Sequence, residues 1–178
     1  GFTLSLAVGQ GSVLATPLQV ARSFAALVNG GDILKLRLVR SIEDDTGEVI
    51  ERREREVLRH VDMPEEYTAL IRQGLFDVVN DEAGTGANVF VAELPIAGKT
   101  GTAEARERRP GVDDEDFQKW LLKSHAWFVG YAPAKDPRVV VTVFLEHGGS
   151  GGKNAGPIVQ RIITNIFERR LGTLQDER

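Results

Sequence analysis

Residues 125–145 read H-A-W-F-V-G-Y-A-P-A-K-D-P-R-V-V-V-T-V-F-L. Two runs rich in valine and aromatic residues flank a short connector that holds Pro133 and Pro137. β-Branched and aromatic side chains suit a pleated surface, and proline interrupts a ladder. The pattern predicts strands over 125–132 and 138–146, joined tightly enough to pair antiparallel. A third strand is expected at about 94–104, around Ala97-Gly98-Lys99-Thr100-Gly101-Thr102-Ala103-Glu104.

Three helical patterns surround these strands. Thr16 is placed to cap a helix whose first position is Pro17; Leu18, Ala21, Phe24, Ala25 and Val28 share one face, and Asn29-Gly30-Gly31 suits its end. A second helix is predicted over about 64–80, with Tyr67, Leu70, Ile71, Gly74, Leu75, Val78 and Val79 as its buried stripe. A third starts near Pro157, with a stripe of Val159, Ile162, Ile163, Ile166, Phe167 and Leu171. The fold class read from these patterns is α+β: an antiparallel sheet with packed helices.

The connecting segments are polar. Leu34, Leu36 and Leu38 alternate with Lys35 and Arg37, and Asp45-Thr46-Gly47 turns into Glu48-Val49-Ile50, so 35–60 is read as a two-stranded hairpin excursion. Within it, 51–56 (E-R-R-E-R-E) is taken as solvated. Residues 105–124, including the acidic run 113–116, form a loop between strands, of a length common in lids and binding loops. Gly84-Thr85-Gly86 lacks the Lys-Ser/Thr ending of a phosphate-binding loop and is taken as an ordinary loop. The glycine-rich run 148–156 is taken as a flexible linker.

At 178 residues, 42% apolar and 27% charged, the chain has the size and composition of one soluble globular domain. A net charge of −4, with no basic stretch interleaved with aromatics, argues against nucleic acid as a partner. No apolar run approaches a membrane span, and there is no cysteine for a disulfide or thiolate metal site. His60, His125 and His147 are too scattered to read as a metal cluster, with no serine or carboxylate evidently paired to them. No metal and no cofactor is expected.

The chemistry concentrates at residues 97–104. In a strand Lys99 and Gly101 face one side, Thr100 and Thr102 the other. On an edge strand the open backbone can pair with an extended ligand. Glycines permit close approach, a lysine supplies a point charge for a carboxylate, and hydroxyls supply adaptable hydrogen bonds. This suits a peptide ending in a free carboxylate. Taken alone, the same residues also describe a strand with a lysine on its exposed face.

The surrounding sequence resembles the penicillin-binding proteins, whose transpeptidase domain carries Lys-Thr-Gly on a sheet strand. The resemblance rests on I-A-G-K-T-G-T-A-E at 96–104, H-A-W-F-V-G-Y-A-P at 125–133, and V-V-V-T-V-F-L-E-H-G-G at 139–149. Upstream it rests on L-A-V-G-Q-G-S-V-L-A-T-P-L-Q-V-A-R-S-F-A-A-L-V-N-G-G at 6–31 and V-V-N-D-E-A-G-T-G-A at 78–87. It spans most of residues 4–171, is weakest at 48–62 and 105–123, and leans towards the class B, penicillin-binding protein 2 type.

The resemblance implies acyl transfer on peptidoglycan stem peptides ending in D-Ala-D-Ala, through an acyl-enzyme on a serine, with β-lactams as mimics of the terminal dipeptide. It implies substrate-binding roles for Lys99, Thr100, Gly101 and Thr102. Lys99 would serve the carboxylate-binding and proton network, Thr100 would help hold the substrate, and Gly101 would give clearance. Thr102 stands where the family offers a hydroxyl to the carboxylate and a backbone N–H to the oxyanion hole. It further implies other cell-wall elongation proteins as partners and a bacterial inner-membrane parent facing the periplasm.

The family's Ser-x-x-Lys and Ser-x-Asn motifs do not appear in their places. Ser-x-Asn is absent, and Ser150-Gly-Gly-Lys153 follows Lys-Thr-Gly instead of preceding it. Residues 1–178 are therefore read as a single incomplete domain, the C-terminal part of the transpeptidase domain, inactive alone. The nucleophile, the membrane anchor and further strands are expected upstream, and the strand at 138–146 is expected to lack one neighbour. The other reading left open is a non-catalytic β-lactam sensor or cell-wall scaffold of the same fold.

Overall fold

The computed structural model describes residues 13–105 and 114–170, with Thr3 and Gly9 besides. Helix α1 (Pro17–Val28) starts as its sequence predicts. Thr16 Oγ1 accepts from the Gln19 N–H, and the Gln19 side chain accepts from the Thr16 N–H, a reciprocal cap whose loss costs about 1 kcal/mol. Gly30 and Gly31 follow with φ of 89° and 104°. The Asn29 amide then brackets both backbone groups of Asp32 and turns the chain into β1 (Asp32–Leu34).

The expected single hairpin is two nested ones. β2 (Ser41–Glu43) pairs with β3 (Val49–Arg52), while β1 pairs with β4 (Val57–His60), both antiparallel. The turn between β2 and β3 is built by Asp44, whose Oδ1 accepts from the Thr46 hydroxyl and from the N–H groups of Thr46 and Glu48. The alternation at Leu34–Leu38 misled because Leu36 and Leu38 have no surface to pack on; both are exposed, and β1 stops at Leu34. Charge closes the outer pair instead: Asp32 binds Arg55 and His60 (Nδ1 at 2.9 Å), and Lys35 binds Glu56 at 2.8 Å.

Helix α2 (Glu65–Asn80) has the expected span but buries only part of the expected stripe. Thr68, Leu75 and Val79 are buried, whereas Tyr67, Leu70 and Ile71 are 60%, 68% and 49% exposed. The apolar residues wrap around more of this helix than its neighbours cover. Arg72 ties α2 to α1, donating to the Leu27 carbonyl at 3.0 Å at the C-terminal end of α1, where a cation is favourable.

The central sheet runs β5 (Ala97–Ala103), β6 (His125–Ala132), β7 (Val139–Leu145), antiparallel throughout. Thr100 lies opposite Phe128, which lies opposite Val143. Period-two alternation gives this sheet two apolar faces. Ala126, Phe128 and Ala132 pack with Val159 and Ile163 of α4 (Gly156–Arg170); Ala97 and Tyr131 on the other face pack with Phe24, Leu27 and Val28 of α1. Leu75 of α2 joins the second cluster and Val79 the first, so α2 braces both layers where β5 begins. Each of the larger fully buried side chains contributes roughly 1.5–3 kcal/mol relative to exposure. Among the described residues, β5 and β7 each pair with β6 alone.

Two segments differ from the sequence expectation. The loop 105–124 contains α3 (Glu115–Leu121), capped by Asp114, whose carboxylate accepts from the N–H groups of Asp116 and Phe117. Asp113 lies outside the described residues, as does Leu171 of the predicted α4 stripe. The run read as a flexible linker is ordered. Residues Gly151–Ala155 form a wide helical turn that continues into α4, with Gly151, Gly152 and Ala155 buried. Its glycines serve close packing: a Cβ on Gly151 would run into the carbonyl oxygens of Gly101 and Trp127.

Candidate active site

The strand β5 carries the four residues singled out in sequence. Lys99 and Thr102 are exposed, and Thr100 and Gly101 are half-buried. Register puts Lys99 opposite Val129 and Thr100 opposite Phe128, so their Cβ atoms leave opposite faces of the sheet. The lysine stem nonetheless curls across the strand. Its Nζ donates to the Thr100 carbonyl at 2.9 Å and to Thr100 Oγ1 at 3.3 Å. Side-chain length reconciles what strand alternation sets apart.

Two glycine loops flank the motif. The first follows α2. Gly84 N–H donates to Asp81 O at 2.9 Å and Gly86 N–H to Val78 O at 2.9 Å, folding Gly84-Thr85-Gly86 tightly against the helix end. This brings Thr85 Oγ1 to 3.0 Å from Thr100 Oγ1. The second loop is 148–152. Gly151 N–H donates to Thr102 Oγ1 at 3.4 Å, and a Cβ on Gly152 would strike the Thr85 carbonyl. Asn88 Nδ2 closes the arrangement by donating to Gly152 O at 2.8 Å. Lys99, Thr100, Gly101 and Thr102 are thus brought together with Thr85 and Gly151, two residues the sequence reading assigned to an ordinary loop and a linker. The signal present in sequence was glycine clustering on both sides of the motif, which marks close backbone approach as well as flexibility.

Ser150 has a structural task. Its hydroxyl caps the Gly151–Ala155 turn, accepting from the Lys153 N–H at 3.4 Å. The histidines stand apart from the motif's side chains. His60 pairs with Asp32, a carboxylate partner that the sequence did not betray, and with Arg55 it holds the Asp32 carboxyl below its ordinary value. His125 Nδ1 accepts from the His147 N–H at 2.9 Å, and the His147 ring rests between those of His125 and Trp120. This cluster seats α3 on the end of the sheet. Burial pushes the Tyr131 hydroxyl up, opposed by the positive charge of Arg72. Among the described residues no group of three or more histidines and carboxylates is placed to hold a metal ion, and no helix is long and apolar enough to cross a membrane.

Chemically, an exposed ammonium and hydroxyls sit on a strand that has no partner strand on its outer side among the described residues. Such an edge can pair with an extended chain while the ammonium and hydroxyls take up a carboxylate.

Residues 2–164 match the family model of the penicillin binding protein transpeptidase domain. The peptidoglycan D,D-transpeptidase MrdA of Haemophilus influenzae is 37% identical over 179 residues, which cover 96% of this chain and 26% of that protein. Stage V sporulation protein D of Bacillus subtilis is 34% identical over 94% of this chain and 24% of its own length. The chain therefore spans about a quarter of the length of these relatives. Among solved structures, Pseudomonas aeruginosa PBP2 in complex with WCK 5153 superposes with a TM-score of 0.70 at 30% identity, covering 93% of this chain and 32% of that one. Penicillin-binding protein A from M. tuberculosis, as a ceftriaxone acyl-enzyme complex, gives a TM-score of 0.70 at 29% identity, covering 88% of this chain and 33% of that one.

Proposed function

This chain belongs to the penicillin-binding protein transpeptidase domain family, and on that premise we propose that it forms the substrate-binding wall of a peptidoglycan D,D-transpeptidase. The observation that carries the proposal is the Lys99–Thr100 arrangement on the outer strand of the sheet. A stem peptide ending in D-Ala-D-Ala lies along β5 as an added strand. Its terminal carboxylate meets the Lys99 ammonium and the hydroxyls of Thr100 and Thr102, and Gly101 leaves room for the peptide backbone.

The acyl transfer uses a serine hydroxyl supplied from outside these residues. The serine oxygen attacks the carbonyl of the penultimate D-alanine, forming an ester as the peptide bond to the terminal D-alanine breaks. The leaving amine takes a proton. The amino group of a second stem peptide then attacks the ester, forms the crosslink and returns the serine. The strand backbone near Thr102 supplies a donor to the oxyanion, and losing one such preorganised donor costs roughly 3 kcal/mol. A β-lactam, whose carboxylate and amide mimic the terminal dipeptide, enters the same wall and acylates the same serine.

Under this reading the intact parent is a membrane-anchored bacterial protein whose domain faces the periplasm, working with other cell-wall elongation proteins, and the fragment alone is inactive. MrdA among its relatives supports an enzyme over a sensor or scaffold. A fluorescent penicillin, applied to this chain and to its full-length parent side by side, tests the reading. The expected result is no covalent adduct on this chain and one adduct on an upstream serine of the parent. An adduct on Ser150, or a parent that takes up no label, overturns it.

A further inference from the structure

We propose that Thr85 is a positioning residue of this site, acting through Thr100; the inference rests on the transpeptidase reading above. Thr100 Oγ1 accepts a hydrogen bond from the Lys99 ammonium at 3.3 Å. A hydroxyl oxygen has two lone pairs, so Thr100 Oγ1 can take a second donor and keep its own proton for a carboxylate. That second donor is the Thr85 hydroxyl, whose Oγ1 lies 3.0 Å away. Lys99 Nζ and the Thr85 hydroxyl then both donate to Thr100 Oγ1. Two donors on one oxygen fix the rotamer of Thr100 and turn its proton towards the substrate carboxylate.

The loop that carries Thr85 is built to hold it still. The N–H groups on both sides of Thr85, from Gly84 and Gly86, are bound to the carbonyls of Asp81 and Val78. Ala83 N–H donates to Asp81 Oδ1 at 2.8 Å, and Ala87 N–H to Gly84 O at 3.1 Å. Gly84 has no room for a Cβ against the carbonyls of Asp77 and Val78, and a Cβ on Gly86 would press on the Phe128 ring at 3.0 Å. The Thr85 carbonyl in turn rests against Gly152. Position 85 is thus referenced to α2, to the core ring of Phe128 and to the turn before α4. A loop whose backbone is pinned this fully presents its one hydroxyl at a set place, and that place is the hydroxyl of Thr100.

The second-order acylation of the full-length parent by a fluorescent penicillin, separated into the dissociation constant of the non-covalent complex and the acylation rate, tests the role. Thr85→Val removes the donor and keeps the shape. It should raise the dissociation constant about fivefold and leave the acylation rate within twofold, because the Thr100 hydroxyl loses its orientation while the serine is untouched. Thr85→Ser restores the hydroxyl and should return the constant to within twofold of the wild type. In a Thr100→Val background, Thr85→Val should add nothing. If Thr85→Val does not fold, Thr85→Cys, with a weak donor of similar size, gives the same reading. A wild-type dissociation constant for Thr85→Val or Thr85→Cys, no rescue by serine, or a full additional loss in the Thr100→Val background overturns the role of Thr85 alone. A wild-type parent that is not labelled overturns the transpeptidase reading, and this inference with it.

Discussion

Gly151 lies against Gly101 so closely that a Cβ at position 151 would collide with the Gly101 carbonyl oxygen, and with that of Trp127 on the neighbouring strand. The turn before α4 is therefore seated directly on the backbone of β5 and β6, at the Lys-Thr-Gly motif.

Gly151→Ala should accordingly destabilise the domain by about 3 kcal/mol, the upper part of the range for overpacking in a close-packed interior. The colliding atoms are backbone oxygens, which cannot swing aside as side chains do. Gly149→Ala is a useful contrast, since its cost comes from a φ of 78° and not from crowding at backbone. Urea denaturation of each variant checks the order, with Gly151→Ala the more damaging.

Lys99→Ala in the full-length parent should lower the second-order rate of penicillin acylation at least a hundredfold while leaving the melting temperature within about 2 °C. The lysine is exposed and, among the described residues, its side chain hydrogen-bonds only to Thr100, so little folding stability depends on it. Stopped-flow acylation and a thermal melt on the same preparation check both halves. Near-normal acylation would remove Lys99 from the site.

Arg72→Met should cost about 1.5–2 kcal/mol. The guanidinium donates to the Leu27 carbonyl at 3.0 Å and joins α2 to the end of α1, and a hydrogen bond from a charged donor lies in this range. Its ion pair with Glu65 at 3.6 Å contributes little, because Glu65 is mostly exposed, so Glu65→Gln should change stability by less than about 0.5 kcal/mol. The same Arg72→Met substitution should raise the Tyr131 hydroxyl further, since the arginine charge is what opposes burial there. Ultraviolet titration of tyrosine reads that shift.

The clip between β1 and β4 should weaken in acid. Hydrogen bonds from His60 and then Arg55 hold the Asp32 carboxyl below its ordinary value of 3.8. A depressed carboxyl stabilises the fold above its ordinary value, and that contribution is lost as pH falls through the lowered one. Amide exchange in residues 57–60 should therefore speed up below about pH 3.8 relative to the central sheet. In Asp32→Asn it should already be fast at pH 6 and show no such acid limb.

The central sheet was legible because β6 and β7 alternate Val, Phe and Tyr on faces that are both covered by helices. Sequence pattern reports burial, and there burial and pattern agree. The pattern failed where apolar side chains are not buried. Leu36 and Leu38 imitate a strand, and Tyr67, Leu70 and Ile71 imitate a core stripe, yet all five are exposed. Nothing in the local spacing distinguishes a face that is covered from one that is not. At the candidate site, Lys99, Thr100, Gly101 and Thr102 were found as one contiguous motif. Thr85 and Gly151 were missed because their relation to it is purely tertiary, across 15 residues between Thr85 and Thr100 and 49 between Thr102 and Gly151. Glycine was the ambiguous letter: the same residue that loosens a linker also lets two backbones touch.

Strand β7 carries a hydrogen-bonding ladder on one side only among the described residues. A strand edge without a partner strand, flanked by valines, is adhesive towards any extended chain of the same kind. For this chain handled by itself, such an edge is a route to association that the quality of the core does not close. Phe128 and Val159 pack the interior, while the rim of β7 is where an extended segment of another molecule can add.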